Sequence, residues 1–146
     1  KDTGFTLLKK IEKKYYPIIE KILFDLKKNK LKKKNKKKNN SSYFGKRTPA
    51  DGIINWNWNT IKIYNWVRAQ SHPYPGAFSF IDNKKIIIDQ SYIIKEKHNK
   101  NIDNGTVISI NPIKVKGSDG IIVLKKIRNK YTFVKNSKFT LNENRL

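Results

Sequence analysis

Hydrophobic positions follow one period in the first part of the chain and another in the last. Between Phe5 and Leu26, the residues Leu8, Ile11, Tyr15, Ile18, Ile22 and Leu26 recur at steps of three or four, with Lys9, Lys10, Lys13, Lys14 and Lys21 on the other side. That spacing predicts an amphipathic helix over residues 5–26, with Thr6 as its N-cap. Pro17 lacks a backbone donor and is expected to kink or split it. A second helix is predicted over Thr60–Gln70, capped by Asn57 or Asn59, with Ile61, Tyr64 and Val67 turned inward. Pro73 and Pro75 end it, and Gly76 lets the chain turn. Short β-type runs follow. Ala77–Ile81 and Lys84–Ile94 flank Asp82-Asn83, Thr106–Asn111 precedes Ile113–Lys116, and Gly117–Gly120 (GSDG) leads into Ile121–Ile127, with Tyr131–Val134 as a last strand. Five or six short strands at even spacing predict an α+β chain whose second part is a small, closed or nearly closed barrel.

One stretch fits neither period. Lys27–Asn40 (KKNKLKKKNKKKNN) has Leu31 as its single apolar residue and is expected to be a solvated, disordered or loosely helical linker. Charge follows the same division: the formal +22 comprises +2 on residues 1–26, +9 on residues 27–42 and +11 on residues 43–146. Such a field attracts phosphates of any kind, nucleic acid and sugar nucleotides alike. The joint enrichment of Lys, Asn and Ile is equally what codon usage in an AT-rich genome produces, so charge does not choose a partner.

Apolar residues make up 37% of the chain, enough for one core because they are concentrated in segments. The absence of Cys excludes disulfides and thiolate metal sites. No run approaches the ~18 consecutive apolar residues of a membrane span, and no signal peptide is visible, so a cytoplasmic protein is the expectation. With no Met and an opening Lys-Asp-Thr that reads as mid-domain chain, the polypeptide is expected to be a fragment or a processed form.

No catalytic constellation can be assembled. His72 and His98 stand outside any metal-ligand spacing, there is no GxSxG, GxGxxG or P-loop, and the acids are scattered singly through basic surroundings. The chain alone is therefore expected to be inactive. Information is concentrated instead in two islands, SYFGKRTPADGIINW (Ser42–Trp56) and NWVRAQSHPYPGAFSF (Asn65–Phe80). In the first, Lys46 and Arg47 follow Gly45 in a loop directed by Pro49 and Gly52, a reasonable clamp for a diphosphate. Tyr43 and Phe44 beside them are better suited to docking the linker than to stacking on a base. Asp51-Gly52 reads as a tight turn leading to Ile53, Ile54 and Trp56 in the core. In the second island Arg68 would be costly to bury alone, so it is expected either to dock the linker or to contact an anion. Trp66, Tyr74 and Phe78 read as a plug under the barrel, and Gly76 as a position that a side chain would hinder.

The motifs YFGKRTPADG with Asn55-Trp56, VRAQSHPYPGAF and NGTVISINPIKVKGSDGIIVLKKI resemble the linker and C-terminal domain of the 10-formyltetrahydrofolate-dependent N-formyltransferases. DTGFTLLKKI is similar to the last helix of that family's catalytic domain, and the closing Asn-Arg-Leu fits as well. The likeness is greatest to enzymes that formylate the amino group of a nucleotide-linked sugar, such as UDP-4-amino-4-deoxy-L-arabinose formyltransferase. The resemblance implies that residues 1–30 end a catalytic domain, that residues 31–56 form a basic linker with the RTPADG loop, and that residues 57–146 form a helix plus an OB-like barrel. It further implies an upstream domain in the same polypeptide that binds 10-formyltetrahydrofolate and carries an Asn, a His and an Asp that handle proton transfer. Lys46, Arg47 and Arg68 would be the substrate-binding residues contributed here. The other substrate class is methionyl-tRNA, in which the barrel serves as a tRNA-binding module; a free-standing basic barrel that binds nucleic acid is a third reading. The family pattern is broken at Pro17, at Asn55 where an acid is usual, and by the length of the Lys27–Asn40 run.

Overall fold

The computed structural model describes residues 2–31, 42–96 and 101–142. The chain divides into two compact units, one of Lys1–Phe5 with Thr48–Leu146 and one of Thr6–Arg47. Helix α1 (Gly4–Lys27) runs without interruption through Pro17, so the expected split does not occur. It also begins before Thr6, which lies inside the first turn rather than capping it. None of its residues is buried; Tyr15, Ile18, Ile22 and Leu26 each remain about half exposed or more in this chain. The Lys27–Asn40 run is described only as far as Leu31, and its remainder lies outside the described residues, as do His98 and the closing Asn-Arg-Leu.

The unit of Lys1–Phe5 with Thr48–Leu146 is built on helix α2 (Thr60–Gln70) and five strands, β1 (Ala77–Ile81), β2 (Lys84–Ile94), β3 (Val107–Ile110), β4 (Ile113–Lys116) and β5 (Ile121–Ile127). The strands form one antiparallel sheet in the order β1-β2-β5-β4-β3. Asp82 and Asn83 join β1 to β2 with φ of 48° and 59°, the left-handed pair that a two-residue hairpin matched to strand twist requires. Asn59 caps α2 by accepting from the Lys62 amide. The inward face of the helix is Thr60, Ile63 and Val67, whereas Ile61 is 62% exposed. The predicted Ile61-Tyr64-Val67 stripe is thus rotated, because Ile63 and Val67, four apart, share a face with Thr60.

The sheet curls, and residues beyond β5 draw its two edges together. Phe80 of β1 exchanges backbone hydrogen bonds with Thr140 (3.1 and 2.8 Å), while the Val107 amide donates to Ser137 O (2.8 Å) and the Phe139 amide to Gly105 O (2.9 Å). This is the small OB-like barrel expected, with one correction: Tyr131–Val134 forms no ladder, and pairing falls instead at Lys138 and Thr140. Tyr131 and Phe133 pack by their side chains against the core. The Tyr131 hydroxyl donates to Asp82 (2.8 Å), and burial followed by that hydrogen bond pushes it up to about 12. The core itself is aliphatic: Ile54, Ile63, Ile81, Ile86, Ile88, Val107, Val115 and Ile122 are completely buried.

Two backbone segments meet so closely that a side chain is excluded. A Cβ at Gly52 would lie inside van der Waals contact of the Gly76 carbonyl oxygen and press on the Phe78 ring. Gly52→Ala is expected to destabilise the chain by roughly 1–3 kcal/mol in denaturant titration. Gly45→Ala meets no atom within 4 Å and is expected to stay within about 0.5 kcal/mol of the parent.

Candidate functional site

The part of the first island from Thr48 to Trp56 packs against the second island within the barrel unit. Thr48 precedes a 3-10 turn over Pro49–Gly52, and the Asp51 carboxylate accepts from the Thr48 amide (2.6 Å) and hydroxyl (3.0 Å), closing the loop on itself. The Gly52 carbonyl then accepts from the Trp66 indole (3.3 Å), and the Ile54 amide donates to Phe78 O (2.7 Å). Gly76 holds φ at +102°, a conformation few side chains adopt, and Arg128 fixes the turn that contains it. The Arg128 guanidinium donates to Pro75 O (2.9 Å) and Tyr74 O (3.3 Å) while gripping both oxygens of Asp89 (3.1 and 2.5 Å). Hydrogen bonding to Asp89 raises the Arg128 pKa above its ordinary value.

Asp89 is reachable because β2 carries an irregularity there. Register shifts between Ile88, Gln90 and Ser91 place Ile88 and Asp89 on the buried side in succession, which strict alternation forbids. Neither Asp89 nor Arg128 stands out in sequence; only an acid inside a β-branched run hints at such a break.

The three cations expected to bind substrate fall in different units. Lys46 and Arg47 are exposed and belong to the Thr6–Arg47 unit, as do Tyr43 and Phe44, which are 95% and 83% exposed. Arg68 belongs to the barrel unit. Its Nη1 donates to the Asp2 carbonyl and its Nε to Asn65 (2.9 Å), with the guanidinium 5.9 Å from the Tyr64 ring centre. Both partners lie outside the linker of residues 31–56, so these contacts decide neither expectation for Arg68. His72 is exposed, 6.4 Å from the Phe5 ring. Among the described residues no cluster of His, Cys, Asp or Glu could hold a metal ion.

Two polar features lie at the ends of the barrel. The GSDG turn does more than join β4 to β5: Asp119 accepts from the Thr60 amide (2.7 Å) at the positive end of α2, and Ser118 donates to Trp58 O (2.9 Å). Elsewhere a pocket of about 420 Å³ is lined chiefly by polar groups, among them Asn55, Asn57, Asn104 and Lys138. Trp56 and Phe139, which stack at 4.9 Å and are almost wholly buried, also line it.

A family model described as the formyl transferase C-terminal domain matches residues 46–139, which include both the Gly52–Gly76 junction and the barrel. The chain belongs to this family. Within it, the bifunctional polymyxin resistance protein ArnA of Wigglesworthia glossinidia brevipalpis is 42% identical over 113 residues, 77% of this chain and 17% of that protein. A variant of HypX from Aquifex aeolicus shares the fold, with a TM-score of 0.55 at 19% identity over 77% of this chain and 20% of that one. The formyl transferase domain described here thus spans about a fifth of the proteins it matches. No helix among the described residues is long and apolar enough to cross a membrane.

Because Arg128 makes four hydrogen bonds from one planar fork, a lysine cannot replace it. Arg128→Lys is expected to cost about 2–3 kcal/mol in denaturant unfolding, since the buried Asp89 and two carbonyls lose geometry that one ammonium cannot restore.

Proposed function

We infer that this chain is the C-terminal part of an N-formyltransferase that moves a formyl group from 10-formyltetrahydrofolate to the amine of a nucleotide-linked amino sugar. The observation that carries the reading is the 42% identity to ArnA over 113 residues, in a chain whose RTPADG and PYPGAF segments are those most like the sugar enzymes. In this reading residues 1–30 close a catalytic domain, residues 31–56 are its linker and residues 57–146 are the barrel. The exposed apolar stripe of α1 is then the face turned to that domain. The folate does not fit the pocket on the barrel: its lining is mainly polar and its aromatic pair is buried, with no open apolar slot for a pterin. We assign the cofactor and the chemical step to residues outside this chain, with reaction in the cytoplasm.

Within this chain, Lys46 and Arg47 are the groups we assign to the diphosphate. Both are exposed and follow Gly45, whose surroundings are open. Charged hydrogen bonds to a phosphate are short and strong, and Arg offers two parallel donors. Arg68 spends Nη1 and Nε on Asp2 and Asn65, which leaves Nη2 as its donor toward an anion.

A second reading, methionyl-tRNA as acceptor, is favoured by one observation, the +11 carried by residues 43–146. The two are separated by assaying the full-length protein with 10-formyltetrahydrofolate and each acceptor. The sugar reading expects formylation of a UDP-linked amino sugar, with Arg47→Ala raising KM roughly tenfold and leaving kcat nearly unchanged. It fails if the sugar nucleotide is not formylated, or if tRNA binds tightly with a salt dependence that reports several phosphate contacts.

A further inference from the structure

The polar pocket at the barrel end is built as a chain of oriented amides that starts at a buried cation. Lys116 is only 4% exposed and makes no ion pair among the described residues; its ammonium donates to Asn104 Oδ1 (3.1 Å) and to Gly117 O (2.5 Å). An ammonium has no acceptor, so the Asn104 atom facing it is the oxygen, and the Asn104 amino group points the other way. That amino group donates to Asn57 Oδ1 (3.0 Å). The Asn57 oxygen being used, its own amino group is left over. Asn55 is oriented by the same logic: its Oδ1 accepts from the Asn57 backbone amide (2.9 Å), which leaves its amino group over as well.

Both leftover amino groups belong to residues that line the pocket, and neither has a partner among the described residues. Lys138 lines the same pocket, held at 2.7 Å to the exposed Asp103 carboxylate on the rim. The arrangement passes the polarity of a buried positive charge outward through two amides and ends in N–H donors. Lys116 and Lys138 against the single carboxylate of Asp103 give the site a net positive charge. A net positive charge beside two uncommitted amino groups favours an anionic acceptor over a cation. Its volume of about 420 Å³ is that of a small-molecule site.

We propose that this pocket, bounded by Asn55, Asn57, Asn104 and Lys138, is a binding site for a small anion, a phosphate or carboxylate carried on a body of about monosaccharide size. The donors grip the anionic group, and Lys138 exchanges Asp103 for it. The site stands on the barrel alone and does not depend on which acceptor the enzyme formylates.

The test uses the chain labelled with ¹⁵N and titrated separately with inorganic phosphate, glucose 6-phosphate, glucuronate and glucose. Saturable shifts of the Asn55 and Asn57 side-chain amides are expected with the sugar phosphate, the sugar acid or both, and none with glucose. Asn57→Asp keeps the oxygen that Asn104 requires but replaces the donors with negative charge. It is expected to weaken binding roughly tenfold or more while leaving the unfolding midpoint near that of the parent. Response to inorganic phosphate alone, shifts spread over surface lysines, or equal binding by Asn57→Asp would each show attraction by net charge only and overturn the proposal. So would the absence of any saturable shift.

Discussion

Everything in the barrel unit is referred to one close approach, the backbone of Gly52 against the backbone of Gly76. The approach is possible because Gly52 has no Cβ to strike the Gly76 carbonyl oxygen, and Gly76 can hold its positive φ beside Ile87. Ile54 is delivered to pair with Phe78, and Trp56 is delivered to the core with its indole donating to Ser79 (3.1 Å). Ser79 in turn donates to Thr140 O (2.7 Å), so the first island is linked through a buried hydroxyl to the segment that draws the sheet edges together. A buried serine without those two partners would cost stability; with them it ties three distant stretches into one unit.

Electrostatics holds what sterics positions. Arg128 joins the turn containing Gly76 to Asp89, whose side chain is 9% exposed, and Asp119 settles on the amide end of α2. Both are cases of a charge placed where backbone groups would otherwise be unmatched, carbonyls in the first and amides in the second. The same economy, a buried Lys116 with neutral acceptors, gives the amide-lined pocket its polarity. The family match over residues 46–139 begins at the basic loop and ends at Phe139, within the segment that pairs with β1 and β3.

Much of this was legible in the residues themselves. Asp82-Asn83 read as a hairpin-like pair, Gly76 as a position that a side chain would hinder, and the short β runs as a small barrel, because each rests on local backbone preference. What escaped depended on distant partners. The break in β2 that buries Asp89 is invisible to alternation, and Arg128 reads as one basic residue among many until the Pro75 carbonyl is beside it. Pairing at Lys138 and Thr140 was missed in favour of Tyr131–Val134, since aromatic and β-branched residues score as strand although here they serve by side-chain packing. Pro17 proved tolerable within α1, none of whose residues is buried. The substrate-binding roles we propose for Lys46, Arg47 and Arg68 rest on side-chain chemistry and on the family likeness.

The central claim is that the Gly52–Gly76 junction and the returning segment at Thr140 belong to one cooperative unit with the β2–β5 ladder. Native-state hydrogen exchange measures this amide by amide. The account predicts that the amides of Ile54, Phe80 and Thr140, which donate to Phe78, Thr140 and Phe80, exchange only by global unfolding, with the same opening free energy as Ile122 in the core. Exchange of Phe80 and Thr140 through a local opening, while Ile122 remains protected, would contradict it.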